Sequence, residues 1–140
     1  MDYLKAFMKL METQSEIALA TSVNNKPNVR VLNFYHSNHN NNIVYFSSFK
    51  DNTKIKEFEM NNQVSFTTIP KEGNQHVRVK AGLVKKSDLT IYDLRSEFSS
   101  KIPDYETIIE QAGDQIVLFE ISFKKALVTM DINATDTITF

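Results

Sequence analysis

Residues 28–66 read NVRVLNFYHSNHNNNIVYFSSFKDNTKIKEFEMNNQVSF, and this stretch decides the fold. Its first nine residues alternate: Val29, Val31, Asn33 and Tyr35 fall on one side, Arg30, Leu32, Phe34 and His36 on the other. Successive side chains of a strand point to opposite faces, so the pattern predicts a strand. The polar run at 37–42 interrupts it and residues 43–48 resume an apolar run, which predicts a hairpin. At 52–61 the period lengthens: Ile55, Phe58 and Glu59 sit one turn apart, and Asp51 or Asn52 can cap the start of a helix. Residues 63–69 return to period two. One arginine, several hydroxyls, a lysine and a helix start therefore share one short span.

The same reasoning extends outward. Residues 3–13 place Leu4, Phe7, Met8 and Met11 at helical spacing behind Asp2, a plausible cap. Residues 15–23 form a strand, and Asn24, Asn25, Lys26 and Pro27 a turn, because Asn tolerates left-handed backbone and Pro ends a ladder. Residues 76–86 predict a long strand with Val77, Val79, Ala81 and Leu83 on one face. A helix is expected over 87–100, capped by Ser87 or Asp88. A second follows over 103–112, with Pro103 in its first turn and Gly113 at its end. Residues 116–123 and 126–132 are the last clear strands, and 133–140 a tail or an edge strand. About seven strands in succession with helices inserted singly predict an antiparallel barrel, not a doubly wound sheet. No repeat or linker divides the chain, so residues 1–140 read as one domain.

Composition narrows the function classes. A chain of 140 residues can bury a real core, and ten Phe and five Tyr supply large apolar units for it. The formal net charge of −1, without a long basic run, gives no footprint for nucleic acid. No apolar run approaches the roughly 20 residues that span a bilayer. The N-terminus is amphipathic rather than signal-like. The absence of cysteine removes disulfides, thiolate metal sites and cysteine nucleophiles, and fits a cytoplasmic protein. His36, His39 and His76 have no clustered carboxylate beside them, so no metal site is expected. The carboxylates Glu57, Glu59, Asp104 and Glu106 read as solvated helix faces. No Gly-rich phosphate loop and no Gly-x-Ser-x-Gly elbow occurs.

The order of motifs is more telling than any one of them. A Val-Arg-Val-Leu strand leads to a Tyr-Phe-Ser-Ser strand, a Lys-bearing helix, a Gln-Val-Ser-Phe strand and a His-Val-Arg-Val-Lys-Ala-Gly strand. This order resembles the FMN-binding split barrels, the pyridoxamine 5′-phosphate oxidase-like proteins, from about residue 17 to residue 128. The resemblance implies a mainly β fold with peripheral helices, a six-stranded antiparallel split β-barrel with Greek-key character. It also implies a homodimer with FMN in grooves at the interface. By motif matching, Arg30, Val31, Leu32 and Asn33 would line the flavin, with Ser47 and Ser48 following. Asn52, Thr53 and Lys54 would hold the phosphate, and His76 would take a position near the ring where many relatives carry Gln. Thr53 stands where an arginine is common. The chain has no Trp, no Arg after Arg95 and no His after His76, so the C-terminal substrate residues of true vitamin B6 oxidases are missing.

Physical chemistry supports the same residues. A phosphate dianion takes its strongest hydrogen bonds from charged donors, here Arg30 and Lys54. Ser47, Ser48 and Thr53 add hydroxyl donors, and the free N–H groups of a helix start favour an anion. The expectation is a small flavin-dependent oxidoreductase that is not a vitamin B6 oxidase, with a small-molecule substrate or a nicotinamide electron donor. The alternative is a non-catalytic flavin or haem carrier on the same scaffold. No side chain stands out as an acid or base.

Overall fold

The computed structural model describes residues 1–37 and 39–140. Helix α1 (Tyr3–Thr13) is capped by Asp2, whose carboxylate accepts from the Lys5 N–H at 3.0 Å. It leads into β1 (Glu16–Val23), β2 (Lys26–Asn33), a short β3 (Tyr35–His36) and β4 (Ile43–Phe49). Helix α2 (Thr53–Met60) is followed by β5 (Gln63–Thr68) and β6 (His76–Lys86). Helices α3 (Arg95–Lys101) and α4 (Tyr105–Ala112) precede β7 (Ile116–Phe123), β8 (Lys125–Asp131) and β9 (Ala134–Thr139). Every strand pairing is antiparallel. Strand 9 settles the reading of the C-terminal residues as an edge strand.

The sheet runs β2-β1-β5-β6-β7-β4-β3, with β8 and β9 branching from β6. The branch is the defining feature. Residues 76–78 of β6 pair with β8, residues 82–86 pair with β7, and the sheet divides between them. This is an open, split antiparallel barrel with peripheral helices, the expected class. The single predicted strand over 28–36 is divided into β2 and β3, and β8 and β9 form over the expected C-terminal stretches.

One turn and one bulge explain local departures from the sequence pattern. Asn24 and Asn25 have φ of 53° and 62°, so the β1–β2 hairpin is closed by two left-handed residues. The ladder then continues through Lys26 and Pro27 instead of ending there. Pro27 fits because the Phe34 N–H bonds the Ser15 carbonyl at 3.1 Å, so even-numbered residues of β2 face β1 and odd-numbered ones face the open edge. The missing Pro27 N–H thus costs no ladder bond. In β6 a bulge sets Val64 opposite Gly82 but Phe66 opposite Val79. The bulge flips the alternation, so Val77 and Val79 are buried while Ala81 and Leu83 are exposed, contrary to the expected single face.

The predicted helix over 87–100 forms only from Arg95 onward. Before it, the Ser87 hydroxyl accepts from the Leu89 N–H and the Asp93 carboxylate accepts from the Thr90 N–H, at 3.1 and 2.7 Å. Short polar side chains have captured the backbone donors that a helix would use. In α4, Asp104 at φ 64° precedes the first turn, and Gly113 opens a 3₁₀ turn rather than a left-handed stop. An added Cβ at Gly113 would lie 2.5 Å from the hydroxyl oxygen of the exposed Tyr92, so a larger residue there requires that side chain to swing aside.

The main core fills the barrel around Phe7, Met11, Phe34, Phe46, Phe66 and Phe123. Helix α1 closes one end, with Phe7 edge-on to Phe123 at 6.4 Å. A second cluster, including Tyr45, Phe98, Tyr105 and Leu118, forms where α3 and α4 cover the outer face of β4 and β7. Lys101 ties the two parts together: its Nζ donates to the Met11 carbonyl at 2.8 Å and lies 3.8 Å from the Phe34 ring centre.

Candidate functional site

Strand β1 places Thr21, β2 places Asn28 and Arg30, and α2 places Lys54 and Glu57, all at one corner of the sheet. Arg30 Nη2 lies 2.6 Å from Glu57 Oε2, and Arg30 Nη1 donates to Thr21 Oγ at 3.0 Å. The Thr21 hydroxyl donates to the same Glu57 oxygen, and Asn28 Nδ2 donates to Glu57 Oε1 at 3.1 Å. Hydrogen bonds from Thr21, then Arg30 and Asn28, hold the Glu57 carboxyl below its ordinary range against the opposing effect of burial. Burial, and then the neighbouring Arg30 charge, lower the Lys54 ammonium, while Glu57 opposes them. Two cations and one carboxylate therefore share a site with a residual positive charge.

Glu57 is the residue that sequence reading missed. It was expected on a solvated helix face, yet its side chain is only 23 % exposed and faces Arg30. The signal was available: Glu57 follows Lys54 by three residues, and residues three apart share a helix face. Glu106 likewise accepts from Arg95 and Ser99. Because the folded Glu57 carboxyl titrates below the unfolded one, its contribution is complete above about pH 4.5 and is lost as the pH falls through the lower folded value. In urea titrations between pH 6 and 3.5, the stability difference between wild type and Glu57→Gln is expected to shrink as the pH drops. A difference independent of pH would contradict this.

The remaining expected residues are distributed as follows. Asn52 caps α2, its side-chain oxygen accepting from the Lys54 N–H at 3.0 Å. Thr53 is exposed, and its hydroxyl makes no hydrogen bond among the described residues. On β2 the odd residues Val31 and Asn33 turn their N–H and C=O groups to the open edge, while the Leu32 side chain packs on the core. Ser47 and Ser48 point to opposite faces of β4. The Ser47 hydroxyl bonds to the Tyr105 hydroxyl, whereas Ser48 is buried on the barrel side.

His76 is not brought to this corner within one chain. Arg30 pairs with Leu19, Leu19 with Phe66 and Phe66 with Val79, so His76 is three strands across and three residues along. Its Nδ1 lies 2.6 Å from the Asn74 carbonyl, which can only accept, so Nδ1 carries the proton and Nε2 of the neutral ring is an acceptor. His36 is buried, with Nε2 on the Asn41 carbonyl at 2.8 Å, and burial lowers its pKa. Among the described residues no cluster of three His, Asp or Glu side chains forms a metal site. Residue 38 of the polar turn lies outside the described residues.

The donor set suits a phosphate. Arg30 commits one nitrogen to Glu57 and one to Thr21, and its other N–H groups can meet an anion. Lys54 is close enough for the Arg30 charge to act on it, and the Thr53 hydroxyl precedes it in the first turn of α2. A groove of about 930 Å³ adjoins this corner at Thr21 and runs over β5 and β6 toward β8.

The sequence profile of the pyridoxamine 5′-phosphate oxidase-like proteins matches residues 10–135, and the chain belongs to that family. No curated protein sequence matches it. Among solved structures, general stress protein 26 from Bacillus anthracis superposes with a TM-score of 0.77 at 16 % identity, covering 100 % of both chains. A heme binding protein from Mycobacterium smegmatis gives 0.77 at 9 % identity, over 99 % of this chain and 58 % of that one. A FAD-binding protein from Mesorhizobium loti gives 0.64 at 18 % identity, over 90 % of this chain and 92 % of that one. At these identities the likeness establishes the shared fold.

Proposed function

We propose that the chain binds FMN and works as a small flavin-dependent oxidoreductase without vitamin B6 oxidase activity. The meeting of Arg30 and Lys54 at the start of α2, beside the open edge of β2, carries this reading. In it, Arg30, Lys54, Thr53 and the Asn52-capped helix start hold the phosphate. The open-edge N–H groups of Val31 and Asn33 meet the polar rim of the ring. When bound, the flavin supplies hydride or electron transfer, and the protein supplies anchoring and orientation. The open-edge N–H groups would stabilise negative charge on the ring.

The reading includes a homodimer. Val29 and Val31 are 64 % and 56 % exposed along the edge strand, an apolar surface that a second copy would cover. His76, remote from Arg30 in its own chain, would then serve the flavin of the other copy. A small-molecule substrate and a nicotinamide electron donor complete the scheme, with the cytoplasm as its setting. No helix among the described residues is long and apolar enough to cross a membrane.

A flavin or haem carrier is the second reading. The acceptor Nε2 of His76, without a partner among the described residues, and the name of the Mycobacterium smegmatis relative favour it. Titration of the purified protein with FMN tests the first. Quenching of flavin fluorescence that saturates at micromolar FMN is expected, followed by bleaching of the flavin band on adding NADH or NADPH. Absence of saturable FMN binding overturns the proposal, and a Soret band with haem but no flavin binding selects the second reading.

A further inference from the structure

The groove beside the Arg30 corner carries a charge pattern that the flavin reading does not use. Arg78 and Lys80 point outward from β6, and Lys124 and Lys125 form the corner between β7 and β8. All four line the groove, and no Asp or Glu does. The chain as a whole has 17 acidic and 16 basic residues, so this segregation is local and not a reflection of composition. Among the described residues none of the four side chains makes an ion pair or a hydrogen bond.

The fold itself creates the groove. Strand β6 releases β8 after residue 78 and takes up β7 only at residue 82, so the sheet parts on that side of residues 79–81. Lys80 stands at the parting, and Ala20, Ala81 and Leu127 give the floor small apolar surfaces. A cleft lined by one sign of charge concentrates the opposite ion. The volume of about 930 Å³ is the size that accepts a ligand larger than a simple ion.

We propose that this groove binds a multiply charged small anion with a flat, weakly polar body, the chemical class of a nucleoside polyphosphate. The ring would lie on the Ala20–Leu127 floor and the charged groups would reach Arg78, Lys80, Lys124 and Lys125. The site shares only Thr21 with the Arg30–Lys54 corner, and the proposal stands whether or not FMN binds there.

Calorimetric titration with adenosine, AMP and ATP, without divalent cations and at low salt, tests it. Affinity should climb with charge, ATP binding on the order of tenfold or more tighter than AMP, and should weaken severalfold at high salt, because exposed charges are screened. The double variant Lys80→Ala, Lys125→Ala should lose on the order of tenfold or more in ATP affinity while its melting temperature stays unchanged, since hydrogen bonds to charged groups are the strong ones. Equal affinity for the three ligands, or no saturable ATP binding, overturns the proposal. So does ATP affinity indifferent to the double variant, which would place the nucleotide at Arg30 and Lys54. Stoichiometric displacement of ATP by FMN also overturns it. Failure of FMN to bind in a parallel titration bears only on the flavin reading.

Discussion

Replacing Arg30 and Lys54 together with alanine is expected to weaken FMN binding by roughly a hundredfold or more and to leave riboflavin binding within a few fold. Hydrogen bonds to charged groups contribute about 1.5–3 kcal/mol each, and about 1.4 kcal/mol is a factor of ten. Two such contacts, present only when the ligand has a phosphate, account for the difference between the two flavins. The double variant also leaves Glu57 without either neighbouring cation, so it is expected to melt earlier as well. The FMN-to-riboflavin ratio removes that effect, because a general loss of structure would weaken both ligands. Fluorescence titration of both flavins against both proteins is the measurement. Equal losses would separate the Arg30–Lys54 corner from phosphate binding.

Stability is expected to rise with pH above 8, an unusual direction that traces to Lys101. Burial, then the nearby Lys71 charge, pushes its ammonium down from 10.5 to about 8, with Glu12 acting the other way. The unfolded chain keeps this proton to the ordinary lysine value, and the folded chain releases it near 8. Between those values the unfolded state binds more protons, so raising the pH favours folding, by at most about 1.4 kcal/mol per pH unit. Below pH 8 the buried charge is retained, and its bond to the Met11 carbonyl and its place over Phe34 offset part of the desolvation cost. Urea midpoints measured from pH 7 to 9.5 should climb for the wild type relative to Lys101→Met. Parallel curves for the two proteins would refute the assignment.

Much of this fold was legible because alternation is written locally. The switch to helical period at Ile55 and Phe58, and the Asn24-Asn25 turn, depend on neighbours a few residues apart. The branch of β6 was not legible, since it arises from two strands more than 30 residues downstream competing for one edge. Nor was the bulge that turns Ala81 and Leu83 outward, because a bulge is a property of the β5–β6 pair and not of either strand. At the candidate site the cations were readable as types, but their partner was not. Glu57 looked like any helix carboxylate until β1 and β2 folded against it. Ser47 and Ser48 show the converse: adjacency in sequence guarantees opposite directions on a strand, and Tyr105 lies 58 residues from the serine it meets.

The position of α1 has a consequence for synthesis. Its apolar side rests on β3, β6, β8 and β9, and Phe7 meets Phe123 and Phe140. A chain made from its N-terminus therefore carries this helix only partly covered until β8 and β9 have been translated. Local hairpins such as β1–β2 can close early, but Ile43 must wait for Ser122. Pairings so distant in sequence slow folding and lengthen the time that apolar surface is exposed. During that interval the side of α1 that later meets Phe123 and Phe140 stays open to other chains.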